Sequence, residues 1–301
     1  MKNKIIVFGG SGFLGEYFCK NMLKNNQNLL TIFDIKKPNF SHKNLKFIKG
    51  NILSKELVAK AVKDKKYIFH LAGWSDLESS NDNMENVISQ NVLGTINILN
   101  SCKKINIKKF IFSSSLYVFS RFGGFYKTSK QISEILIKDF CVHNKINYHI
   151  LRFGSIYGPG AKKGNAIFDL VHQALKNKRI NYWGDGNETR QYIHARDTAK
   201  ICDYILSNKK LNNFITLSGQ ETIRIHDLLM IIKEIINNKL DIKCKLDKRS
   251  FSHYKNTPFT FDSEDSFEPN IGRKLIFDEY TELSEGIYEV IRHESKKYNS
   301  I

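Results

Sequence analysis

The chain has 301 residues, of which 41% are hydrophobic, so it can bury a sizeable core as one large domain or two joined ones. No apolar run approaches the length of a membrane-spanning helix, and the short run after the first four residues predicts a strand, not a signal peptide. The 47 basic residues outnumber the 30 acidic ones and give a net charge of +17, which invites a nucleic-acid-binding interpretation. The lysines are scattered, however, so a solvated basic surface is favoured.

The cysteine and histidine patterns bear on compartment and metal content. Five cysteines are widely spaced and form no Cys-x-x-Cys pair. This usage is typical of the reducing cytoplasm, where we place the protein, and it offers no metal site. The nine histidines include no His-Glu-x-x-His pattern, so we expect no metal ion.

Short apolar runs alternate with helical stretches along the first half of the chain. The runs that predict strands are Ile5–Phe8, Leu29–Phe33, Lys46–Ile48, Tyr67–Leu71, Lys109–Ser113 and Tyr148–Leu151. Helices are predicted near residues 13–25, 55–63, 85–105 and 126–143. This alternation predicts an α/β fold with a doubly wound parallel sheet, in which ligands bind beyond the carboxyl ends of the strands.

A glycine-rich turn follows the first predicted strand, with Gly9, Gly12 and Gly15 at steps of three residues. Glycines let the backbone pass close to a pyrophosphate, whose charge lies against the free N–H groups of the next helix. The second predicted strand ends at Asp34, the acidic residue that such a fold needs to bind an adenosine ribose. Together these features predict a Rossmann-type dinucleotide site.

Tyr126 and Lys130 form a pair of possible catalytic residues. They are four residues apart on a predicted helix, so the phenol and the ammonium share one face. A positive charge about 5 Å away stabilises a phenolate, so we expect Lys130 to lower the pKa of Tyr126 by about 2 units. Ser115 precedes Tyr126 by eleven residues, at the end of a predicted strand.

The pattern changes after Leu151. The later sequence contains Tyr157-Gly-Pro-Gly160, a predicted helix near residues 164–177, a polar loop that ends at Arg190 and a predicted helix near residues 225–237. Residues 191–217 resemble a return to the sheet. We therefore predict a dinucleotide-binding domain of residues 1–153 plus 191–217. A smaller, discontinuous α/β substrate lid domain would comprise residues 154–190 plus 218–301.

These motifs, taken in order, resemble those of the NAD-dependent epimerase/dehydratase family of extended short-chain dehydrogenases/reductases, which acts on nucleotide-activated sugars. The resemblance covers most of the first 200 residues. The shared motifs are Gly9-Gly-Ser-Gly-Phe-Leu-Gly15, Asp34, His70-Leu-Ala72, Asn91-Val-Leu-Gly-Thr-Ile-Asn97, Ser113-Ser-Ser115, Tyr126-Lys-Thr-Ser-Lys130, Leu151-Arg152, Tyr157-Gly-Pro159 and Arg190-Gln-Tyr-Ile-His-Ala-Arg-Asp197.

The resemblance implies an NAD site at the carboxyl ends of the strands. Its residues would be Gly9, Gly12, Phe13, Leu14 and Gly15 at the pyrophosphate, Asp34 at the adenosine ribose, Asn51 and Ile52 at adenine, and Leu71, Ala72, Gly73, Asn91, Ser113, Tyr126, Lys130 and Phe153 around the rest of the cofactor. Asp34 favours NAD over NADP because its carboxylate would repel a 2′-phosphate, although Lys36 and Lys37 lie close by.

The resemblance also assigns catalytic and substrate-binding roles. Tyr126 would be the acid/base, Lys130 would bind the nicotinamide ribose, and Ser115 would hydrogen-bond the reacting oxygen. The substrate would be a nucleotide-diphosphate sugar bound by Ser114, Ser155 and Arg190, because a guanidinium suits a diphosphate. A homodimer would form through the helices near residues 85–105 and 126–143, the second of which carries Ile132, Ile135, Leu136 and Phe140.

Two departures from the family pattern affect the predicted reaction. The loop between the catalytic serine and tyrosine is shortened to Leu116–Phe125, which leaves the sugar open. Dehydratases and decarboxylases of the family carry an acidic residue at the positions of Leu116 and Tyr117, so the sequence favours 4-epimerisation through a transient 4-keto sugar. A nucleotide-sugar 4-ketoreductase or C4 dehydrogenase would use the same residues. A non-catalytic relative that binds NAD and RNA typically lacks the Tyr or the Lys, and both are present.

Overall fold

The structure, a computed structural model, describes residues 2–120, 123–207, 213–236, 239–245 and 269–298. Its strands are β1 (Asn3–Phe8), β2 (Asn28–Asp34), β3 (Leu45–Lys49), β4 (Tyr67–His70), β5 (Lys109–Ser115), β6 (Asn147–Phe153), β7 (Ser155–Tyr157), β8 (Arg179–Trp183), β9 (Thr189–Arg190), β10 (Tyr192–His194), β11 (Asn213–Leu217), β12 (Ile223–Arg224), β13 (Asp241–Lys245) and β14 (Arg273–Lys274). Its helices are α1 (Phe13–Leu23), α2 (Lys55–Val62), α3 (Leu77–Ser80), α4 (Met84–Ile88), α5 (Gly94–Cys102), α6 (Gly124–His143), α7 (Ala166–Asn177), α8 (Ala195–Ala199), α9 (Ile201–Ser207), α10 (Ile225–Ile235) and α11 (Leu283–Ser295).

A large parallel sheet organises the first part of the chain. Within the described residues it has eight strands in the order β14-β11-β6-β5-β4-β1-β2-β3, and every pair of neighbours is parallel. The order of its first six strands along the chain, 3-2-1-4-5-6, is that of dinucleotide-binding folds. The prediction of a doubly wound parallel sheet is confirmed.

The large sheet is buried on both faces, which is why its strands are continuous apolar runs rather than alternating ones. In β1, Ile5 and Val7 belong to one core cluster, which includes Phe18 from α1. Ile6 and Phe8 point to the opposite face, into a second cluster with residues of α2, α5 and α6. Each such fully buried aliphatic or aromatic side chain contributes about 1.5–3 kcal/mol to folding.

A third core cluster belongs to the later sequence. It is formed by α7, α10 and α11, with members such as Ile167, Leu228 and Ile287. Three two-stranded sheets accompany it and pair β7 with β10, β9 with β12, and β8 with β13. The predicted helices near residues 164–177 and 225–237 are present as α7 and α10, whereas α11 was not predicted.

Two strands from the second half of the chain bear on the predicted division into two domains. Strand β11 lies in the large sheet, as predicted for the segment that returns to it. Strand β14, which comes from the predicted lid piece, pairs with β11 at the edge of the same sheet. The exact domain division stays a prediction. Of the helices in the described ranges, none combines the length and apolar character needed to cross a bilayer.

The predicted helix near residues 85–105 is not one regular α-helix. A π turn, Ser89–Leu93, separates α4 from α5 and adds a residue to the helical turn. A second irregular turn, the 3-10 turn Leu116–Phe119, follows β5 directly. Both turns lie beside the carboxyl ends of the strands, where the site residues were predicted.

Candidate active site

The predicted site residues meet at one edge of the large sheet. Phe8, the last residue of β1, is level with Phe33 of β2 and with His70 of β4. Ser115, the last residue of β5, is level with Phe153 of β6. Because these strands are parallel, the loops that follow them open into the same crevice.

The glycine-rich turn between β1 and α1 is packed so closely that Gly9 and Gly15 leave no space for a side chain. Gly9 has a φ of +81°, and a Cβ atom there would lie 2.6 Å from the backbone nitrogen of Ala72. A Cβ atom on Gly15 would lie 2.2 Å from the carbonyl oxygen of Gly9. The turn therefore packs against the residues that follow β4, and the N–H groups at the start of α1 point out of the helix toward the place of an anion.

Two observations at this turn fit a dinucleotide. The Oγ atom of Ser11 is buried and has no hydrogen-bond partner among the described residues. Asp34, at the end of β2, accepts hydrogen bonds from the backbone N–H groups of Ser11 (3.0 Å) and Lys36 (3.1 Å). A carboxylate has about four acceptor positions, so Asp34 can also accept from a ribose hydroxyl. The turn thus offers a pyrophosphate cradle beside a ribose acceptor.

The two residues predicted at adenine differ in exposure. Asn51 is exposed, and its side chain accepts a hydrogen bond from the N–H of Leu53 at 2.9 Å. The side chain of Ile52 is buried and packs closely on Gly94 of α5. A contact between Ile52 and a bound adenine would therefore have to come from its backbone.

Asn91 lies in the π turn and ties two parts of the crevice together. Its side-chain oxygen accepts from the N–H of Trp74 at 2.7 Å, and its side-chain nitrogen donates to Ser129 of α6 at 2.8 Å. A Cβ atom on Gly73, whose φ is +147°, would lie 2.4 Å from that oxygen. The buried amide of Asn91 thus holds the loop after β4 against α6, close to Leu71 and Ala72.

The three predicted catalytic residues come together between β5 and α6. The hydroxyl of Ser115 is hydrogen-bonded to that of Tyr126. The Nζ atom of Lys130 donates to the carbonyl oxygen of Ser113 at 2.9 Å and lies 5.7 Å from the centre of the Tyr126 ring. Ser115 also caps the 3-10 turn, because its Oγ accepts from the N–H of Tyr117 at 3.2 Å. Their catalytic roles stay predictions.

The expectation of a lowered pKa for Tyr126 is wrong for the protein without ligands. Tyr126 is partly exposed as a residue, but its hydroxyl is enclosed, and this burial raises its pKa to about 12 against the opposing effect of Ser115. Burial likewise lowers the pKa of Lys130 to about 8, against the opposing effect of Glu134. The loss of solvent disfavours the charged form of each residue and is the largest effect on each pKa.

The remaining predicted residues lie around this trio. Ser114 is buried, and its hydroxyl donates to Glu134 at 2.5 Å, away from open crevice. Phe153 is buried too, and its ring packs edge-on to Phe18 in the core at 6.2 Å. The predicted roles of both residues toward ligands stay predictions, although these contacts show that each also supports the fold.

Ser155 and Arg190 lie on two short strands, β7 and β9, outside the large sheet. Ser155 of β7 is level with Tyr192 of β10. Arg190 is half-buried and donates to the carbonyl oxygen of Thr189 at 2.8 Å. Burial raises the pKa of Tyr192, against the opposing effect of Arg190. Tyr117, which packs on Tyr126, also makes a small contribution to raising the pKa of Tyr192.

Sequence reasoning assigned no role in the site to three residues near the trio. Tyr117 packs edge-on to Tyr126, and the buried Glu134 forms an ion pair with Arg152. The spacing of Glu134, four residues after Lys130 on the same helix face, was a usable signal. In the described part of the chain, no group of three or more His, Cys, Asp or Glu side chains could hold a metal ion.

Comparison with known proteins identifies the family. A model of the NAD dependent epimerase/dehydratase family matches residues 5–215. The protein named "Putative UDP-glucose 4-epimerase" of Methanocaldococcus jannaschii is 31% identical over 260 residues, which cover 77% of this chain and 82% of that protein. The dTDP-D-glucose 4,6-dehydratase of Dictyostelium discoideum is 27% identical over 272 residues, which cover 78% of this chain and 62% of that protein.

A solved structure shows the same fold. UDP-glucuronic acid 4-epimerase from Bacillus cereus, in complex with UDP-glucuronic acid and NAD, has a TM-score of 0.82 and 21% sequence identity, covering 98% of this chain and 100% of that chain. The predictions of an enzyme of this family and of NAD as its cofactor are confirmed. Since the family model spans most of the chain and a relative above 30% identity covers most of it as well, the chain belongs to the NAD dependent epimerase/dehydratase family.

Proposed function

We propose that this protein is an NAD-dependent 4-epimerase of nucleotide-diphosphate sugars. The observation that carries the proposal is the packed trio of Ser115, Tyr126 and Lys130 beside the glycine-rich turn, in a chain of this family. When bound, NAD supplies a hydride acceptor and donor for C4 of the sugar. Everything else required at C4 is proton transfer and binding, which the side chains of the site can provide.

Tyr126 is the residue placed to move the proton. Its hydroxyl, held by Ser115, would take the proton from the sugar 4-hydroxyl. It would return the proton after the 4-keto sugar has rotated to present its other face. Lys130, fixed by the carbonyl of Ser113, would stabilise the phenolate in between. Since hydride leaves and returns, the net reaction consumes no cofactor.

The residues after Ser115 support epimerisation over dehydration. Leu116 is buried and Tyr117 is aromatic, so neither of the two positions supplies a carboxylate beside the reacting carbons. An elimination at C5 and C6 needs such an extra acid or base, whereas inversion at C4 needs the trio alone.

The reaction can be tested by extracting bound nucleotide from the purified protein and then incubating it with UDP-, GDP-, dTDP- and CDP-sugars. A 4-epimerase yields the C4 epimer by NMR without a net change in NADH absorbance. Tyr126→Phe should keep the fold and NAD binding but lose at least about two orders of magnitude of turnover. Stoichiometric oxidation or reduction of the cofactor would instead show a ketoreductase or C4 dehydrogenase, and near-normal turnover by Tyr126→Phe would contradict the catalytic assignment.

We also propose a homodimer through α4, the π turn and α6. Four large apolar side chains are exposed on these elements: Met84, Leu93, Ile135 and Val142. Of the residues first considered, Leu136 and Phe140 pack partly against the core of the same chain. Sedimentation should show a dimer at micromolar concentration that Ile135→Lys with Val142→Lys dissociates, and a wild-type monomer would contradict the proposal.

Finally, we propose the cytoplasm as the site of this activity. The five cysteines are free, and Cys19, Cys102, Cys141 and Cys202 are buried in the core. Burial raises the pKa of Cys102 to about 12, which keeps its thiol protonated. Such unpaired cysteines are typical of a reducing compartment, and fractionation of the source cells would test this.

A further inference from the structure

A buried carboxylate lies directly behind the catalytic pair. Glu134 is one helical turn beyond Lys130 on α6 and is 3% exposed. Its Oε1 accepts from the hydroxyl of Ser114 at 2.5 Å and from Nε of Arg152 at 2.8 Å, and its Oε2 accepts from Nη2 of Arg152 at 2.5 Å. The two parallel bonds from one guanidinium are the strong, bidentate form of this contact.

Arg152 is itself held from all sides. Its side chain is fully buried, and its guanidinium lies between the rings of Phe119 and Phe214, 4.6 Å from each ring centre. Its remaining nitrogen, Nη1, donates to the carbonyl oxygen of Asn270. The pair thus joins α6 to β6, the 3-10 turn, β11 and the segment before β14.

Stability alone does not account for this arrangement. Removing two charges from water costs several kcal/mol per ion, and hydrophobic residues of similar volume often stabilise a protein as well or better than a buried ion pair. The bonds from Arg152 and Ser114 do, however, fix the Glu134 carboxylate in a buried place. This carboxylate lies one helical turn from Lys130 on the same face of α6.

Among the described residues, the other groups that contact or influence Lys130 carry no negative charge. His70 of β4 is fully buried, and burial, with a smaller effect of Lys130, lowers its pKa to about 3, so it is neutral. Phe112 of β5 presents its ring 4.9 Å from Nζ, and Ser113 presents its carbonyl oxygen. On α6 itself the neighbours are Tyr126 and Glu134, and Glu134 is the group that opposes the effect of burial on Lys130.

We infer that Glu134 is a positioning residue for the reaction: held by Arg152 and Ser114, its carboxylate keeps the Lys130 ammonium charged beside Tyr126. The inference rests on the proposed function, because Lys130 matters through its effect on the Tyr126 phenolate. The same inference assigns a role to Ser114, which donates a hydrogen bond to Glu134. The Arg152 side chain acts one step further back, since it holds the Glu134 carboxylate in place.

The test separates charge from packing with three variants. Glu134→Gln removes the charge, Glu134→Asp keeps it on a shorter side chain, and the double variant Glu134→Leu with Arg152→Met replaces the pair by apolar groups of similar size. In each, the reactivity of Lys130 with acetic anhydride is followed against pH by peptide mass spectrometry, on the full chain without sugar or added cofactor. Thermal unfolding is measured in parallel.

We expect the labelling midpoint of Lys130 to fall by about one to two pH units in Glu134→Gln, as for the loss of a charge one helical turn away. The double variant should recover thermal stability but keep the lowered midpoint. Glu134→Asp should lose stability yet keep a midpoint near that of the wild type. If Glu134→Gln fails to fold, the double variant alone decides between charge and packing.

An unchanged midpoint in the double variant would overturn the inference, as would a midpoint that follows thermal stability across all three variants. The labelling result does not depend on which sugar is the substrate. With UDP-glucose as the first probe, the alkaline limb of turnover should shift to lower pH together with the midpoint. If no nucleotide sugar is turned over, the proposed function fails while the labelling still decides the effect of Glu134 on Lys130.

Discussion

Tyr117 packs edge-on to Tyr126, with the ring centres 6.3 Å apart and the ring planes at 80°. Tyr117 also contributes to raising the pKa of Tyr126, after the larger effect of burial. Tyr117 also makes a small contribution to raising the pKa of Tyr192, after the larger effect of burial. Its phenol therefore influences both the predicted acid/base and the strand that follows Arg190.

The first prediction concerns the hydroxyl of Tyr117. Tyr117→Phe keeps the edge-on ring and removes a phenol that adds to the larger effect of burial on the pKa of Tyr126, so that pKa should fall slightly. Because Tyr126 acts as a base in its deprotonated form, the acid limb of turnover should then move to lower pH. Turnover is measured across pH in wild type and variant, with Tyr117→Leu as a control that removes the ring as well. A limb that moves to higher pH would contradict this role.

The second prediction concerns cofactor choice. Asp34 holds the backbone N–H groups of Ser11 and Lys36, so its carboxylate is fixed where the adenosine ribose is expected. NAD(H) should bind more tightly than NADP(H), because the carboxylate repels a 2′-phosphate. Asp34→Asn keeps the shape of the side chain without its charge, so it should reduce the difference between the dissociation constants of NAD(H) and NADP(H). Equal or tighter binding of NADP(H) by the wild type in titrations would show that the exposed Lys36 or Lys37 captures the phosphate.

The third prediction concerns Arg190. One charge-assisted contact to the substrate diphosphate is worth about 1.5–3 kcal/mol, so Arg190→Ala should weaken binding of the nucleotide sugar about ten- to a hundredfold. The dissociation constant of NAD should not change. Arg224 offers a matched control, because it lies on the neighbouring strand, level with Thr189, and is exposed in an ion pair with Asp227. Weaker NAD binding with unchanged binding of the nucleotide sugar would show that Arg190 contacts NAD instead of the sugar nucleotide.

The fourth prediction concerns stability in acid. Burial lowers the pKa of His70 to about 3 and those of His149 and His194 to about 4. The unfolded chain binds these protons near pH 6.5 and the folded chain does not, so stability is lost as the pH falls from about 6.5 toward 4. Each histidine contributes a slope of up to about 1.4 kcal/mol per pH unit.

His149 is the residue through which to test this slope. It is fully buried, and neither ring nitrogen has a hydrogen-bond partner in the described part of the chain. His149→Leu should therefore remove about one of the three contributions to the slope without loss of stability near neutral pH. Urea unfolding at a series of pH values measures it, and an unchanged slope would contradict the assignment.

Local sequence patterns predicted the parts of the fold that local chemistry determines. The apolar runs of β1, β2 and β4 to β6, the glycine turn and the spacing of Tyr126 and Lys130 were all visible in short stretches of residues. The π turn was not, because it depends on Asn91 reaching both Trp74 and Ser129. A contact between residues far apart in sequence leaves no periodic signal.

The electrostatics of the site could not be predicted either. Spacing alone placed a cation beside Tyr126 and implied a lowered pKa, but the enclosure of its hydroxyl depends on the whole fold. The Glu134–Arg152 pair is a similar case. Arg152 was part of a recognised motif, but its partner is 18 residues away and its carbonyl contact 118 residues away.

The strand order of the large sheet bears on how copies of the protein avoid edge-to-edge aggregation. Its outermost strands in the described residues are β3 and β14, and an outer strand can add a strand from another molecule. Strand β3 carries Lys46 and Lys49, and β14 consists of Arg273 and Lys274. Charged side chains on short outer strands discourage such pairing. Part of the excess positive charge of the chain therefore also serves as protection against aggregation.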